Sequence, residues 1–476
     1  MLDIAETHRR KIHAATPRAH KAALGQFMTP ASTAHFMASL FPAPAGRTVL
    51  LDAGAGLGAL TCAVLDTWGG RADRVVAYEV DNRLRQHLVD TLAGYRAKIE
   101  VLDHDFLAAA TRLIQAGAAP FTHAILNPPY KKIATTSNER AAASAAGLET
   151  VNLYSAFVGL ALALLQPAGQ LVAIIPRSFT NGPYYKPFRQ WILARGAIRH
   201  LHLFESRDSA FRDDDVLQEN LILRIERDGI PGAVEVSHST DDTYSDMTRH
   251  AVEYTAIFRP GDTEHFLHIP NGVEDPLIHP NVTHTLADLG VSVSTGPVVD
   301  FRLRDHLRTQ PGAGDLQLLY PHHLSGTGLA WPAVGSKKAN AIADNADTAR
   351  WLFPAGTYVL TRRFSSKEEK RRVVACLLPA AALRTDRVGF ENHLNVFHIK
   401  KGGLPDELAW GMYVWLNSSA LDTHLRRFSG HTQVNAADFR NMRFPSRYTL
   451  ATLGRKARDL VLDQAKIDEL VNEVLE

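Results

Sequence analysis

Asn127-Pro128-Pro129-Tyr130 follows directly on the apolar run Ala124-Ile125-Leu126. A buried strand that ends this way delivers a side-chain amide oxygen, a rigid turn with bare carbonyls and an aromatic face to one point. That set suits a planar ring bearing an exocyclic amine. Such an amine is a poor nucleophile because its lone pair is delocalised into the ring. Hydrogen bonds from its two N–H groups to the Asn127 amide oxygen and the Pro128 carbonyl would draw the nitrogen toward a pyramidal form. Attack on a sulfonium methyl then needs chiefly positioning and electrostatics. Pro128 and Pro129 hold the acceptors without rotational freedom, and Tyr130 offers a ring on which a base extruded from a duplex can stack. A Pro-Pro-aromatic turn also serves as a plain rigid loop, so the reading depends on what surrounds it.

Upstream, Leu51-Asp52-Ala53-Gly54-Ala55-Gly56-Leu57-Gly58 closes one apolar run and enters a helix-like stretch. Glycines there let the backbone turn sharply and a ligand lie close, although the spacing is not that of dinucleotide sites. Asp52, Gly54 and Gly56 are therefore expected at a nucleoside cofactor. Glu79, at the tip of the next run, is placed to accept from ribose hydroxyls. Asp105 can accept from an adenine amino group while Phe106 packs on the base. Each acid alone is equally a helix cap. Phe179, within Arg177-Ser178-Phe179-Thr180, is expected as the opposite wall of a base sandwich, with burial in the core as its alternative.

These residues need elements that bring them to one edge. Apolar runs at Thr48–Leu51, Val75–Tyr78, Ile99–Leu102, Ala124–Leu126 and Leu171–Ile175 alternate with helix-like stretches, the pattern of buried parallel strands joined by helices. The expected fold class is α/β, a doubly wound, Rossmann-like sheet with ligands at the carboxyl edge. Runs at Ile198–Phe204 and Asn220–Ile225 should finish it, giving a catalytic domain over 1–228. Residues 229–290 read as a connecting region with some strand content at Ala233–Val236, and 291–476 as a second, α+β domain with strands at Tyr358–Thr361 and Asn395–Ile399. Leu450–Leu475 reads as a closing amphipathic helix, and Ala141–Gly147 as a mobile loop.

The 476 residues, 45% hydrophobic, suffice for two or three cores. Only Cys62 and Cys376 occur, too few for a disulfide framework or a cysteine zinc site. No metal site is expected. With no bilayer-spanning apolar run and no secretory pattern at the start, the expected location is the cytoplasm, away from membranes. Net charge is +2, but Val291–Arg447 carries 21 basic and 13 acidic residues, +8 against −6 elsewhere. That imbalance fits a nucleic-acid clamp as well as a solvated surface. Arg362, Arg363, Lys367, Lys370, Arg371 and Arg372 form its densest cluster, read either as phosphate contacts or, with Glu368 and Glu369, as a solvated helix face.

With these motifs in this order, the chain resembles the N6-adenine DNA methyltransferases of bacterial restriction-modification systems, specifically the TaqI-like and XhoI-like gamma class. Gly25-Gln26-Phe27-Met28-Thr29-Pro30 is similar to that class's opening Gly-x-x-x-Thr-Pro motif. The resemblance implies that Phe27 and Thr29 help hold S-adenosyl-L-methionine, that Asn127 and Pro128 bind the target amine, and that Tyr130 and Phe179 stack on a flipped adenine. It further implies double-stranded DNA as substrate, a C-terminal target-recognition domain, and a separate cognate endonuclease encoded nearby. The short stretch before Gly25 leads us to expect no fused nuclease. Val293–Pro297, Arg362–Lys367, Phe390–His393 and Ser429–Asn435 are similar to recurrent recognition-domain segments. Ala53 departs from the proline many adenine methylases carry, which leaves the glycines intact. Cytosine-N4 transfer, protein glutamine methylation, and a subunit active only in a larger complex are the competing functions.

Overall fold

Val49–Ala53 (β1) is buried along its whole length, as an apolar strand must be when both faces of a parallel sheet are covered. The structure, a computed structural model, describes residues 2–15, 28–70, 72–204, 219–270, 277–365, 369–430 and 432–476. The chain divides into two units, Met1–Asn271 and Gly272–Glu476.

In the first unit, β1 lies in a nine-stranded sheet with Arg74–Tyr78 (β2), Lys98–Leu102 (β3), Phe121–Leu126 (β4), Leu165–Pro176 (β5), Gly196–Phe204 (β6), Asn220–Arg227 (β7), Val234–Ser239 (β8) and Thr248–Val252 (β9). The strand order is β3-β2-β1-β4-β5-β7-β6-β8-β9. β1 to β5 run parallel, and β7 is inserted antiparallel between β5 and β6. The chain moves outward from β1 to β3 and then crosses back to β4, so the order reverses between β1 and β4. That reversal opens a crevice at the carboxyl edge. Asp52 pairs in register with Ile125 there, which sets the glycine turn beside Asn127.

Alternation along the strands splits the core in two. Leu51, Ala53 and Val76 face the helices Phe106–Gln115, Leu153–Ala163 and Lys186–Leu193. Leu50 and Val75 face the helices Ala31–Ser39 and Ala59–Thr67, and Ala77 faces Asn82–Leu92. The expected doubly wound α/β fold is thus present. Its end lies further on than expected, because β8 pairs with β6 and β9 with β8. The residues after β9 also return to this unit. Arg189, fully buried, donates to the Glu264 carbonyl at 2.8 and 2.9 Å and to the Phe179 and Gly182 carbonyls at 2.8 Å. Much of the expected connecting region therefore belongs to the first unit; its weak periodicity reflects polar strands such as Val234-Glu235-Val236-Ser237. The expected loop at Ala141–Gly147 is largely the helix Asn138–Ala145, started by Ser137 accepting from the Arg140 N–H and favoured by its alanines.

The second unit contains an antiparallel sheet of Ser292–Thr295, Leu394–His398, Tyr358–Arg362 and Ala375–Leu378, together with a mixed five-stranded sheet. Helices Asp406–Leu416 and Arg447–Ala457 cross so closely that a Cβ on Gly411 would lie 1.8 Å from the Leu450 carbonyl oxygen, and one on Gly454 1.9 Å from that of Glu407. The expected single closing helix is two, Arg447–Ala457 and Gln464–Leu475. Asp463 starts the second by accepting from the Lys466 N–H at 2.8 Å.

Candidate active site

The turn after β1 is pinned by two bonds, from the Gly54 and Ala55 N–H groups to the Tyr78 carbonyl at 2.9 Å. Gly56 has φ +56° and nothing within 4 Å of where a Cβ would stand, so the backbone itself borders open space. Gly58, at φ +84°, packs so that a Cβ would meet the Leu88 side chain at 2.7 Å. Glu79 ties the turn to the end of β2, accepting from the Gly56 and Asp81 N–H groups at 2.8 Å each. Burial pushes its carboxyl up, and the Asp81 and Gly56 N–H groups oppose the rise.

A cavity of about 290 Å³ opens over this edge. Of the expected cofactor residues, Thr29, Gly54, Gly56, Glu79, Asp105 and Phe106 line it. Asp105 also caps its helix, accepting from the Ala108 N–H at 2.8 Å, so the capping and site-lining readings coexist. Phe106 stands 5.1 Å from Phe157 and 5.3 Å from Tyr78, giving an apolar wall. Asp52 lies behind the turn, not among the lining residues. It is fully buried and accepts from the Thr61 hydroxyl at 2.6 Å, while its other oxygen has no partner. Burial pushes this carboxyl up to about 7 against the Thr61 hydrogen bond, and the Glu79 charge adds to the rise. Phe27 lies outside the described residues.

Asn127 and Pro129 line the same cavity, on the β4 side. The Asn127 amide donates to the Thr29 hydroxyl at 2.9 Å. Its oxygen receives the Tyr130 hydroxyl at 3.1 Å, which also lies 3.2 Å from the Ile174 carbonyl. Burial raises the Tyr130 phenol well above its ordinary range, so it remains a donor. Pro128 is buried behind the turn and Tyr130 is half-buried with its ring turned toward Tyr154, at 6.2 Å; neither borders the cavity. Phe179 departs further from expectation. It is fully buried, edge-on to Phe188 at 5.6 Å, because the 3-10 turn after β5 carries it inward and Arg189 fixes its carbonyl.

Sequence reasoning missed Ala5, Arg9, Lys131, Glu139, Leu153 and Phe157, which also line the cavity. Lys131 directly follows the motif and was findable. Arg9 and Phe157 come from helices whose docking no local pattern encodes.

In the second unit the basic cluster is divided. Arg372 is buried and donates to the Ser429 hydroxyl at 3.1 Å; Arg371 reaches the Ser418 carbonyl at 3.2 Å and the Gln464 side chain. Arg363 donates to the Asn392 carbonyl at 2.6 Å and to the Asn435 and Gln433 side chains at 2.9 and 3.2 Å. Arg362 pairs with Glu369 at 2.9 Å, Lys370 is exposed, and Lys367 lies outside the described residues. Among the described residues, Arg363, Arg371 and Arg372 knit segments of the unit together. The four recurrent segments do converge: the Arg363 N–H reaches the His393 carbonyl at 2.8 Å, the Ser365 N–H the Thr432 carbonyl at 3.0 Å, and a Cβ on Gly296 would lie 2.1 Å from the Glu391 carbonyl oxygen. Phe364 is left exposed beside them.

No group of metal-binding side chains occurs among the described residues, and no helix there is long and apolar enough to cross a membrane. The groups lining the cavity fit S-adenosyl-L-methionine. Gly56 leaves room for a ligand against the backbone, two carboxylates stand at successive strand ends, and Phe106 with Phe157 offers an apolar surface.

A family model described as Eco57I restriction-modification methylase matches residues 72–211. The chain is 46% identical over 476 residues to the Type II methyltransferase M.BsuBI of Bacillus subtilis, covering 96% of this chain and 95% of that one. It is 38% identical over 471 residues to the Type II methyltransferase M.PstI of Providencia stuartii, with 95% and 93% covered. Among solved structures, the DrdV–DNA complex matches with a TM-score of 0.50 at 13% identity, over 95% of this chain and 59% of that one, a likeness of fold.

Proposed function

The chain belongs to the Type II restriction-modification DNA methyltransferases, and we propose that it methylates N6 of an adenine rotated out of duplex DNA. The observation that carries this reading is that Asn127 and Pro129 line one cavity with Gly56, Glu79 and Asp105. S-adenosyl-L-methionine, the cofactor the family implies, supplies an electrophilic sulfonium methyl group when bound. Glu79 and Asp105 accept from its hydroxyl and amino groups, and Gly56 lets its chain lie against the turn. Asn127 presents its amide oxygen to one N–H of the target amine; for the Pro128 carbonyl to take the other, as the family resemblance implies, the turn must open toward the cavity that Asn127 and Pro129 already line. This localises the nitrogen lone pair and orients it.

Thr29 holds the amide's NH2 end at 2.9 Å and so sets which way the oxygen end points. The Tyr130 hydroxyl, 3.1 Å from that oxygen, occupies the acceptor until the amine displaces it. Its movement frees the ring to stack on the base. The second unit takes up the DNA around the target, with Lys370, Phe364 and the convergent recurrent segments as its candidate face. A separately encoded endonuclease in the cytoplasm completes the system in this reading.

Asn127→Ala tests the assignment. Tritiated methyl transfer to DNA should fall about a hundredfold to a thousandfold, the scale of losing a preorganised polar group in a reaction site. Cofactor affinity, read by calorimetry, should stay within about threefold. Unchanged turnover would refute the role given to Asn127.

A further inference from the structure

The helix Leu2–Ala15 forms part of the cavity wall. Ala5 and Arg9, one turn apart on one face, are 1% and 7% exposed, and both line it. The helix packs over the helices that follow β1 and β2, with the His8 and His87 rings 4.8 Å apart and the His8 Nδ1 3.5 Å from the Thr91 hydroxyl. Arg9 therefore lies toward the glycine-turn end of the cavity, which Leu57, Leu60 and Leu84 also border. Glu6 receives the Arg9 Nε and Nη2 donors at 2.8 Å each and fixes the plane of the guanidinium.

Taking the cofactor reading above as its basis, the remaining chemistry needs a partner. Glu79 and Asp105 suit the nucleoside and Asn127 the methyl acceptor, which leaves the carboxylate of the methionine tail. Among the described residues, Arg9 and Lys131 are the lysine or arginine residues lining the cavity. Lys131 is exposed and follows the Asn127–Tyr130 turn on the substrate side, where Glu139 also lines the wall. Arg9 is withdrawn from solvent, where a charge-assisted bond is strongest, and its planar fork matches a carboxylate. We propose that Arg9 binds the cofactor's methionine carboxylate, so that the N-terminal helix is a working part of the cofactor site.

Calorimetric titration of the full chain tests this with three ligands: S-adenosyl-L-methionine, S-adenosyl-L-homocysteine and 5′-methylthioadenosine. The third keeps the nucleoside and lacks the amino-acid tail. Arg9→Gln should weaken the first two by about tenfold to a hundredfold, the range for losing a bond to a charged group. Affinity for 5′-methylthioadenosine should stay within about twofold. Arg9→Lys, which keeps the charge without the fork, should give an intermediate loss and serves if Arg9→Gln does not fold. Equal weakening of all three ligands would make Arg9 merely structural and overturn the proposal. A selective loss from Lys131→Gln in its place would also overturn it. Wild-type protein that binds none of the three would instead remove the cofactor reading on which the proposal rests.

Discussion

Thr29, Asn127 and Tyr130 form a short chain of hydrogen bonds, at 2.9 and 3.1 Å, that joins the segment before the first sheet helix to the end of β4. Residue types at strand ends were enough to expect Gly54, Glu79, Asp105 and Asn127 together, because the parallel register dictates which tips are neighbours. Asp52 and Phe179 were not legible in the same way. Each was itself expected at the site, but the direction of its side chain is set by packing from elsewhere, by Thr61 for Asp52 and by Phe188 for Phe179. A separate set of residues governs pH response. His200 Nε2 and His202 Nδ1 each lie 2.8 Å from the Ser237 hydroxyl, buried between β6 and β8. Burial, aided by the Arg249 charge, lowers these imidazoles to about 4 and about 3. The folded state keeps them neutral while the unfolded chain takes up protons near 6.5. Stability is thus whole above that pH and is lost as pH falls toward 4, at about 1.4 kcal/mol per unit for each histidine. Denaturant titrations from pH 7 to 4 should show His202→Gln losing less stability across that window than wild type. Parallel slopes would contradict the assignment.

Among the elements, the parallel strands were the most readable, since a strand covered on both faces has no polar alternation to blur it. β8 was legible in part, as the strand content at Ala233–Val236, whereas β9 escaped because a half-polar edge strand resembles a loop; the return of Phe266 and Leu267 to the first unit depends on Arg189, far away in the chain. The break between the last two helices turns on one cap, Asp463. The glycine crossing of Asp406–Leu416 and Arg447–Ala457 has no periodic signature, yet it sets how closely the helices approach. Gly454→Ala should force the helices apart and cost about 1–3 kcal/mol. Scanning calorimetry should then show the melting temperature lowered by several degrees. An unchanged transition would mean the crossing is not as tight as 1.9 Å from Cβ position to the Glu407 carbonyl oxygen implies.

At the scale of the whole molecule, the charge imbalance between the two parts of the chain was legible from composition, while the use of each cation was not. Arg363, Arg371 and Arg372 spend their donors on carbonyls and side chains within their own unit. In the proposed reading DNA affinity comes from residues outside that inner set, with the exposed Lys370 as a candidate. Modified-base sequencing of DNA from cells expressing the full chain tests the central claim most directly. The account predicts N6-methyladenine at one defined sequence, absent when Asn127→Ala is expressed. N4-methylcytosine at that sequence would contradict the choice of base, and no modified base at any defined sequence would contradict the account as a whole.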